Sequence, residues 1–161
     1  MNKLINPQVE LSYISIDDAP HIFSIIDRQR VYLGEWLPWV KETKSENDVR
    51  EFYKSCEIKK LQGNGFECLI KYNGEPVGQI GLHKIDSTNK STSIGYWLSS
   101  EFQGKGIMTE ACKAMVSHCF EEFDLNRVEI KCATKNHKSN KIPRRLAFNK
   151  EGVLRQAELL N

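Results

Sequence analysis

The sequence predicts a single domain of the α/β (α+β) class, with helices flanking a central sheet. Several short segments alternate apolar and polar side chains, which is the strand period, whereas others place apolar side chains every three or four residues, which is typical of a helix lying on a sheet. Between residues 93 and 133 a strand, a glycine-containing turn, a helix and a second strand follow one another. This order predicts a β-α-β unit with two parallel strands. A chain of 161 residues fits one domain.

A strand and two helices are predicted in the first part of the chain. Residues 9–16 alternate and predict a strand. Asp17 or Asp18 is then expected to cap a first helix. Ser45 and Asp48 have the Ser-x-x-Asp spacing of a capping box and predict the start of a second helix.

A hairpin and a third strand are predicted next. The pair Asn73-Gly74 separates the strand-like runs 66–71 and 77–85, and this dipeptide is a strong hairpin turn. The tract 86–92 then turns the chain into a strand that ends at Leu98. These segments place three strands side by side.

The turn after Leu98 is predicted to bind an anion. Gly104 and Gly106 allow close approach of the backbone, so that successive N–H groups and the positive end of the next helix converge on phosphate oxygens. The turn does not match the sequence patterns of two other phosphate-binding loops. A nucleotide P-loop needs a hydroxyl residue after Lys105, and a dinucleotide fingerprint needs a small residue where Thr109 stands.

Three further elements are predicted after the long helix that follows this turn. Residues 127–133 alternate cleanly and predict a strand, which completes the β-α-β unit. A short helix is expected within residues 136–148, and residues 153–160 are predicted to form a last strand.

Composition excludes several function classes. No apolar run approaches the roughly 20 residues of a membrane span, and the first ten residues lack a signal-peptide core, so we expect a cytoplasmic protein with no membrane partner. The five cysteines include no Cys-x-x-Cys pair and are expected to be small buried hydrophobes. The four histidines show no metal-ligand spacing, so no metal is expected. A net charge of +2 is too small to indicate nucleic-acid binding.

The loop 31–40 carries two tryptophans, Trp36 and Trp39. They are interpreted either as a cover for the edge of the core or as the wall of a pocket for the acceptor substrate.

The turn resembles motif A of the GNAT superfamily of acyl-CoA N-acyltransferases, whose pattern is Gln/Arg-x-x-Gly-x-Gly/Ala. Gln103, Gly106 and Met108 occupy its three defined positions, with Met108 in place of the usual small residue. The order of elements from Val9 onward is also similar to that family. The resemblance implies a single GNAT domain over residues 1–161, with a mixed, mostly antiparallel sheet and a splayed parallel strand pair. GNAT chains usually continue into a further strand, so the resemblance implies that this C-terminal strand is missing.

The resemblance implies acetyl-CoA as cosubstrate, with no metal. In the family the two parallel strands splay apart, and the cofactor's pantetheine arm pairs with the strand edge near Trp97 and Leu98. Trp97 is alternatively a core residue. The cofactor-binding residues implied are Trp97, Leu98, Gln103, Gly104, Lys105, Gly106, Ile107, Met108, Thr109 and Asn136.

Residues 136–158 resemble the ribosomal-protein N-terminal acetyltransferases, the Rim group within the GNAT superfamily. Ser139 matches the serine that acts as general acid toward the thiolate, and Glu158 matches the glutamate that acts as general base. Alternatively, Ser139 caps a helix that begins at Asn140, and Glu158 is a solvated residue. The polyamine-acetylating branch has a tyrosine where Pro143 stands, which favours the Rim group.

The function implied by the resemblance is acetyl transfer to the N-terminal α-amine of a protein, in particular a ribosomal protein, by direct attack in a ternary complex. Two alternatives stay open. The acceptor is a small amine such as a polyamine, an amino acid or an aminoglycoside, or the domain binds acyl-CoA without catalysis. The resemblance also allows a homodimer, because family members often associate.

Overall fold

Six strands form one sheet in chain order in the computed structural model, which describes residues 1–160. The strands are β1 (Asn2–Leu4), β2 (Val9–Tyr13), β3 (Phe66–Tyr72), β4 (Glu75–Leu82), β5 (Ser91–Leu98) and β6 (Arg127–Ile130). Strands β1 to β5 pair antiparallel with their neighbours, and β6 runs parallel to β5. The mixed α/β fold with one parallel pair is therefore confirmed.

Five helices cover the two faces of this sheet. They are α1 (Ala19–Arg28), α2 (Arg30–Gly34), α3 (Glu46–Leu61), α4 (Ile107–Glu121) and α5 (His137–Arg145). Helix α3 begins with the predicted capping box, because the Ser45 hydroxyl accepts from the backbone N–H of Asp48 and the Asp48 carboxylate accepts from that of Ser45. Short 3₁₀ turns lie at Ile16–Asp18, Pro38–Lys41 and Ser100–Phe102.

Two apolar cores lie on opposite faces, because successive strand residues point to opposite sides. Helices α4 and α5 pack on the face that carries Leu11, Ile70 and Ile80. Helices α1 and α3 pack on the face that carries Leu69 and Trp97. We call the first the α4 face and the second the α1/α3 face.

The prediction of a last strand over residues 153–160 is wrong. Residues 153–160 form turns and irregular structure without strand pairing. Three of their apolar side chains are exposed, namely Val153, Leu154 and Leu159. An alternating pattern forms a strand only where a neighbouring edge and an apolar surface are available, and these side chains meet neither.

The start of the first helix and the lengths of some strands also differ from prediction. Asp18 is the N-cap residue of α1, as predicted, but its side chain makes no capping hydrogen bond to that helix. Ser15 caps the preceding 3₁₀ turn, and the Asp18 carboxylate accepts from the Ser15 backbone N–H. Strand β1 was not predicted, and β6 ends at Ile130, three residues before the predicted end. The loop 31–40 contains most of α2 and a 3₁₀ turn.

Candidate active site

The turn between β5 and α4 presents a row of free backbone donors. Gly104 and Gly106 both have φ of +77°, which a side chain disfavours. Within the described chain, the N–H groups of residues 104–109 have no hydrogen-bond acceptor. They lie in the turn and in the first helical turn of α4, where the helix dipole adds positive potential. Such a row suits a pyrophosphate.

Side chains around this turn hold it in place and leave the donor row open. Met108 is only 7% exposed and packs into the α4-face core, so its length does not obstruct the backbone donors. The Gln103 amide donates to the Tyr32 hydroxyl and accepts from Lys138 Nζ at 2.7 Å. The Lys105 ammonium lies 4.9 Å from the centre of the Phe102 ring. Gln103 is thus a bridge between α2 and α5 across the turn.

Strands β5 and β6 separate beside this turn. Their pairing ends at Ile94 and Ile130, so the edge of β5 beyond Ile94 lies free of β6. The Ser99 N–H donates to Val77 O of β4 at 2.8 Å. Because successive strand residues direct their N–H groups to opposite edges, Tyr96 and Leu98 direct theirs into the opening. This cleft can accept an amide-bearing chain by strand addition.

The Trp97 side chain belongs to the core. It is 8% exposed, and its indole N–H donates to Gln79 Oε1 at 3.0 Å. The Gln79 amide in turn donates to the Tyr53 hydroxyl of α3. Trp97 can therefore contact a cofactor through its backbone, while its side chain fixes β5 to β4 and α3.

A chain of hydrogen bonds lies at the base of the cleft on the α4 face. The Ser139 hydroxyl donates to the Tyr96 hydroxyl at 3.2 Å, and the Cys132 thiol lies 3.2 Å from the same Ser139 oxygen. The Tyr96 hydroxyl donates to the Ser139 carbonyl, also at 3.2 Å. That carbonyl lies four residues before Pro143, which has no N–H to bond it. Burial holds the pKa of Tyr96 far above its usual value, so the phenol keeps its proton.

Helix α5 begins at His137, and Asn136 caps it by accepting from the Ser139 N–H at 3.0 Å. The alternative that Ser139 caps a helix beginning at Asn140 is therefore wrong. Cys132 also differs from prediction, because it is half-buried and contacts Ser139, whereas the other four cysteines are buried as expected. Neither Tyr96 nor Cys132 was predicted as a site residue. Their positions beside Ser139 depend on how far β5 and β6 splay, which no local pattern reports.

The α1/α3 face of the cleft carries the remaining predicted residues. Glu158 is exposed and lies close enough to His83 for its charge to raise the pKa of that imidazole. The Trp39 ring centre lies 6.3 Å from that of Trp97, and Trp39 is 39% exposed. Trp36 lies half-buried in the same loop. Trp39 therefore lies on the α1/α3 face beside Trp97, with part of its ring accessible.

A cavity of about 240 Å³ opens on this face between the end of β2 and α3, with Glu67 in its wall. The Glu67 carboxyl lies over Gly81, because a Cβ placed on Gly81 would be within 2.3 Å of its oxygens. Burial raises the pKa of Glu67 to about 8. This carboxyl is accordingly mostly neutral at pH 7.

Residues 1–160 contain neither a cluster of metal-ligating side chains nor a helix suited to a membrane. No group of three or more His, Cys, Asp or Glu side chains in this part of the chain is placed to hold a metal ion. Of the helices described, none combines the length and the apolar character that crossing a membrane requires.

Comparison with known proteins agrees with the geometry. The sequence profile of the family described as Acetyltransferase (GNAT) domain matches residues 8–149. The chain is 34% identical over 158 residues to the putative ribosomal N-acetyltransferase YdaF of Bacillus subtilis, covering 98% of this chain and 86% of the relative. It is 31% identical over 157 residues to the ribosomal-protein-serine acetyltransferase of Escherichia coli, covering 98% and 88%. The structure of RimL, a ribosomal L7/L12 alpha-N-protein acetyltransferase, in complex with coenzyme A superimposes with a TM-score of 0.96, at 29% identity, covering 100% and 91%.

A cleft between two splayed parallel strands, closed by a row of backbone donors, defines an acyl-CoA-dependent transferase. The chain belongs to the GNAT acetyltransferase family. It is an enzyme that transfers acetyl groups from acetyl-CoA. The predicted family, reaction class and cosubstrate are therefore confirmed.

Proposed function

We propose that this enzyme acetylates the N-terminal α-amine of a protein, with a ribosomal protein as the acceptor, by direct attack of the amine on acetyl-CoA in a ternary complex. The observation that carries the proposal is the position of Ser139, whose hydroxyl lies at the base of the cleft in contact with Tyr96 and Cys132. Relatives named for ribosomal-protein acetylation support the acceptor. The α-amine also suits a site of this kind, because its pKa of about 8 leaves more neutral amine than a lysine does.

The cofactor-binding residues act through the backbone and through charge. In our proposal the N–H groups of residues 104–109 bind the pyrophosphate, and Lys105 adds positive charge beside them. The Leu98 N–H faces the opening and polarises the thioester carbonyl, as an oxyanion-hole donor does. Asn136 contributes by fixing the start of α5, which sets the direction of the Ser139 side chain.

Ser139 is the general acid in this proposal. Its hydroxyl donates to Tyr96 in the absence of substrate, and a rotation about one bond turns it toward the departing sulfur. The Cys132 thiol lies within hydrogen-bond distance of the Ser139 oxygen and stabilises the charge left there. The resulting thiol leaves as coenzyme A.

Glu158 is the general base, and the aromatic side chains guide the acceptor. Glu158 lies exposed on the α1/α3 face near His83, where an incoming amine passes. Trp39 packs near Trp97 on the same face, and we propose that Trp39 and Trp36 form one wall of the acceptor pocket. The exposed side chains of Trp39 and His83 mark the part of this face that a protein N-terminus can reach.

The test measures release of coenzyme A thiol from acetyl-CoA with three acceptors: a peptide with a free N-terminus, the same peptide with a blocked N-terminus and a free lysine, and spermidine. We expect release with the free N-terminus alone. Release with only spermidine or the lysine peptide would overturn the proposed acceptor. Binding of acetyl-CoA without turnover on any amine would overturn the proposal that the domain is catalytic toward amines of these kinds.

Two variants then test the assigned roles. Ser139→Ala and Glu158→Gln should each lower kcat by about 10²- to 10⁴-fold, the usual range for acid–base groups, with little change in coenzyme A affinity. Ser87→Ala and Glu121→Gln are matched controls, because both residues are exposed, Ser87 lies in the turn before β5, and Glu121 is at the end of α4 opposite to the donor row. Unchanged kinetics in Glu158→Gln would remove Glu158 from the base role.

A further inference from the structure

We propose that His83 is a second proton acceptor of this reaction and takes a proton from the acceptor ammonium before the amine attacks. The inference rests on the proposed function and adds to it a catalytic residue on the acceptor side of the cleft. It follows from where the imidazole lies, from the approach open to the amine and from the proton balance of the reaction.

The His83 ring lies directly over Gly95. A Cβ placed on Gly95 would be 2.1 Å from His83 Nε2 and 2.6 Å from Cε1, so the ring occupies the space that a side chain at position 95 would need. Gly95 is the first residue of β5 beyond the last pair with β6, Ile94 with Ile130. The imidazole is therefore held at the point where the cleft begins.

The amine can reach this point from one face only. Tyr96 points to the α4 face, where α4, α5 and the Ser139 group cover the strand. Position 95 points to the opposite face, has no side chain, and lies beneath His83, which is exposed. In the proposed mechanism the thioester carbonyl lies at the Leu98 N–H, three residues or about 10 Å beyond Gly95. An amine that enters from this face at Gly95 therefore passes the imidazole before it reaches the thioester.

The ring is free to accept a proton. Neither ring nitrogen of His83 has a hydrogen-bond partner within residues 1–160. The ring is partly desolvated where it lies against Gly95, although His83 as a whole is exposed. This desolvation, together with the charges of Lys59 and Lys131, holds the pKa of His83 below its usual value, and Glu158 acts in the opposite direction. The imidazole is accordingly neutral near pH 7. The titratable groups that face it come from α3, the end of β6, the C-terminal segment and β3: Lys59, Lys131, Glu158 and Glu67.

Two protons leave the acceptor nitrogen during the reaction. The acceptor arrives mainly as an ammonium ion, R–NH₃⁺, because the pKa of an α-amine is about 8. One N–C bond forms and one C–S bond breaks, so the nitrogen loses two protons on its way to an amide N–H. The sulfur gains one proton, from Ser139 in the proposed mechanism, and one proton leaves to solvent. His83 takes the first proton from the nitrogen and releases it to solvent, and Glu158 takes the second, which returns through water to the Ser139 oxygen and restores the hydroxyl.

A neutral imidazole with a free ring nitrogen can accept the first of these protons. The exposed edge of the ring then passes the proton to water.

The test compares His83→Ala with His21→Ala in the full chain, using acetyl-CoA and the acceptor that the wild type acetylates. His21 is a matched control, because its Nε2 contacts Pro76 O at 3.1 Å at the opposite end of β4. We expect His83→Ala to lower kcat/KM for the amine at least 100-fold at pH 7. The loss should shrink above pH 8, where the amine arrives neutral, and free imidazole in the buffer should restore part of the rate. Coenzyme A affinity should be unchanged.

The outcomes separate this inference from the proposed function. If the wild type acetylates the free N-terminal peptide and His83→Ala has the same pH profile and rate, the His83 role is wrong and the proposed function stands. A loss that is equal at all pH values and is not rescued by imidazole also overturns it, because it indicates a structural role. If the wild type uses spermidine instead, the proposed function fails, and the same variants decide the His83 role on that amine. A wild type inactive on every amine overturns both.

Discussion

Replacing Gly106 by valine tests whether the turn before α4 binds the pyrophosphate. Gly106 has φ of +77°, a conformation that a β-branched residue does not tolerate, so valine forces the turn to rearrange. No atom lies within 4 Å of a Cβ at this position, so the effect comes from the backbone and not from a steric clash. Rearrangement redirects the neighbouring N–H groups away from a common point.

The magnitude follows from the donors that are lost. A hydrogen bond to a charged group contributes about 1.5 to 3 kcal/mol, so loss of two costs about 3 to 6 kcal/mol. The Kd for coenzyme A, measured by titration calorimetry, should rise at least about 100-fold. Gly63→Val is the control, since Gly63 has φ of +69°, also has no atom within 4 Å of a new Cβ, and lies after α3. A folded Gly106→Val protein that binds coenzyme A within threefold of wild type would refute the assignment.

Three further perturbations have defined outcomes. Gln79→Ala leaves the Trp97 indole N–H and the Tyr53 hydroxyl buried without partners. The free energy of unfolding in urea should therefore fall by about 2 to 6 kcal/mol, and a fall below about 1 kcal/mol would contradict the Tyr53–Gln79–Trp97 hydrogen bonds. The pKa of Glu67 is raised from 4.5 to about 8, so its favourable contribution is complete below about pH 4.5 and is lost as pH rises toward 8. Glu67→Gln should flatten the decline in stability over this range by up to about 1.4 kcal/mol per pH unit, and an unchanged slope would argue against the shift. Pro143→Ala supplies a backbone N–H that can bond the Ser139 carbonyl within α5, so the melting temperature should rise. The Tyr96 hydroxyl then loses this acceptor, so acetyl transfer should slow; an unchanged rate would refute a role of the Tyr96–Ser139 contact in catalysis.

The parts of the fold that were predictable from sequence are those with local causes. The capping box at Ser45, the Asn73-Gly74 hairpin and the turn at Gly106 each depend on a few adjacent residues, and all three are present. The turn before α4 was recognisable because a positive φ favours glycine, and Gly104 and Gly106 stand there in the sequence.

What was not predictable depends on contacts between distant segments. Residues 153–160 alternate as a strand does, yet no neighbouring edge pairs with them. The Tyr96 hydroxyl meets Ser139 across 43 residues of sequence, and His83 lies over Gly95 because two strands pair in one register. Periodicity reports which face a side chain occupies, but it does not report which neighbour it meets there.

The missing N–H of Pro143 has a mechanical consequence for the cleft. A helical hydrogen bond of α5 is replaced by one from Tyr96, so a side chain of one wall completes the backbone of the other. The two walls cannot separate at the base without leaving the Ser139 carbonyl unpaired in a partly buried place, which costs about 1 to 3 kcal/mol. Widening to admit a cofactor is therefore easier at the rim, where Gln103 joins α2 to α5 through exposed and half-buried side chains. The Ser139 end of the cleft is therefore the more rigid end, and the end at the turn before α4 is the easier one to widen.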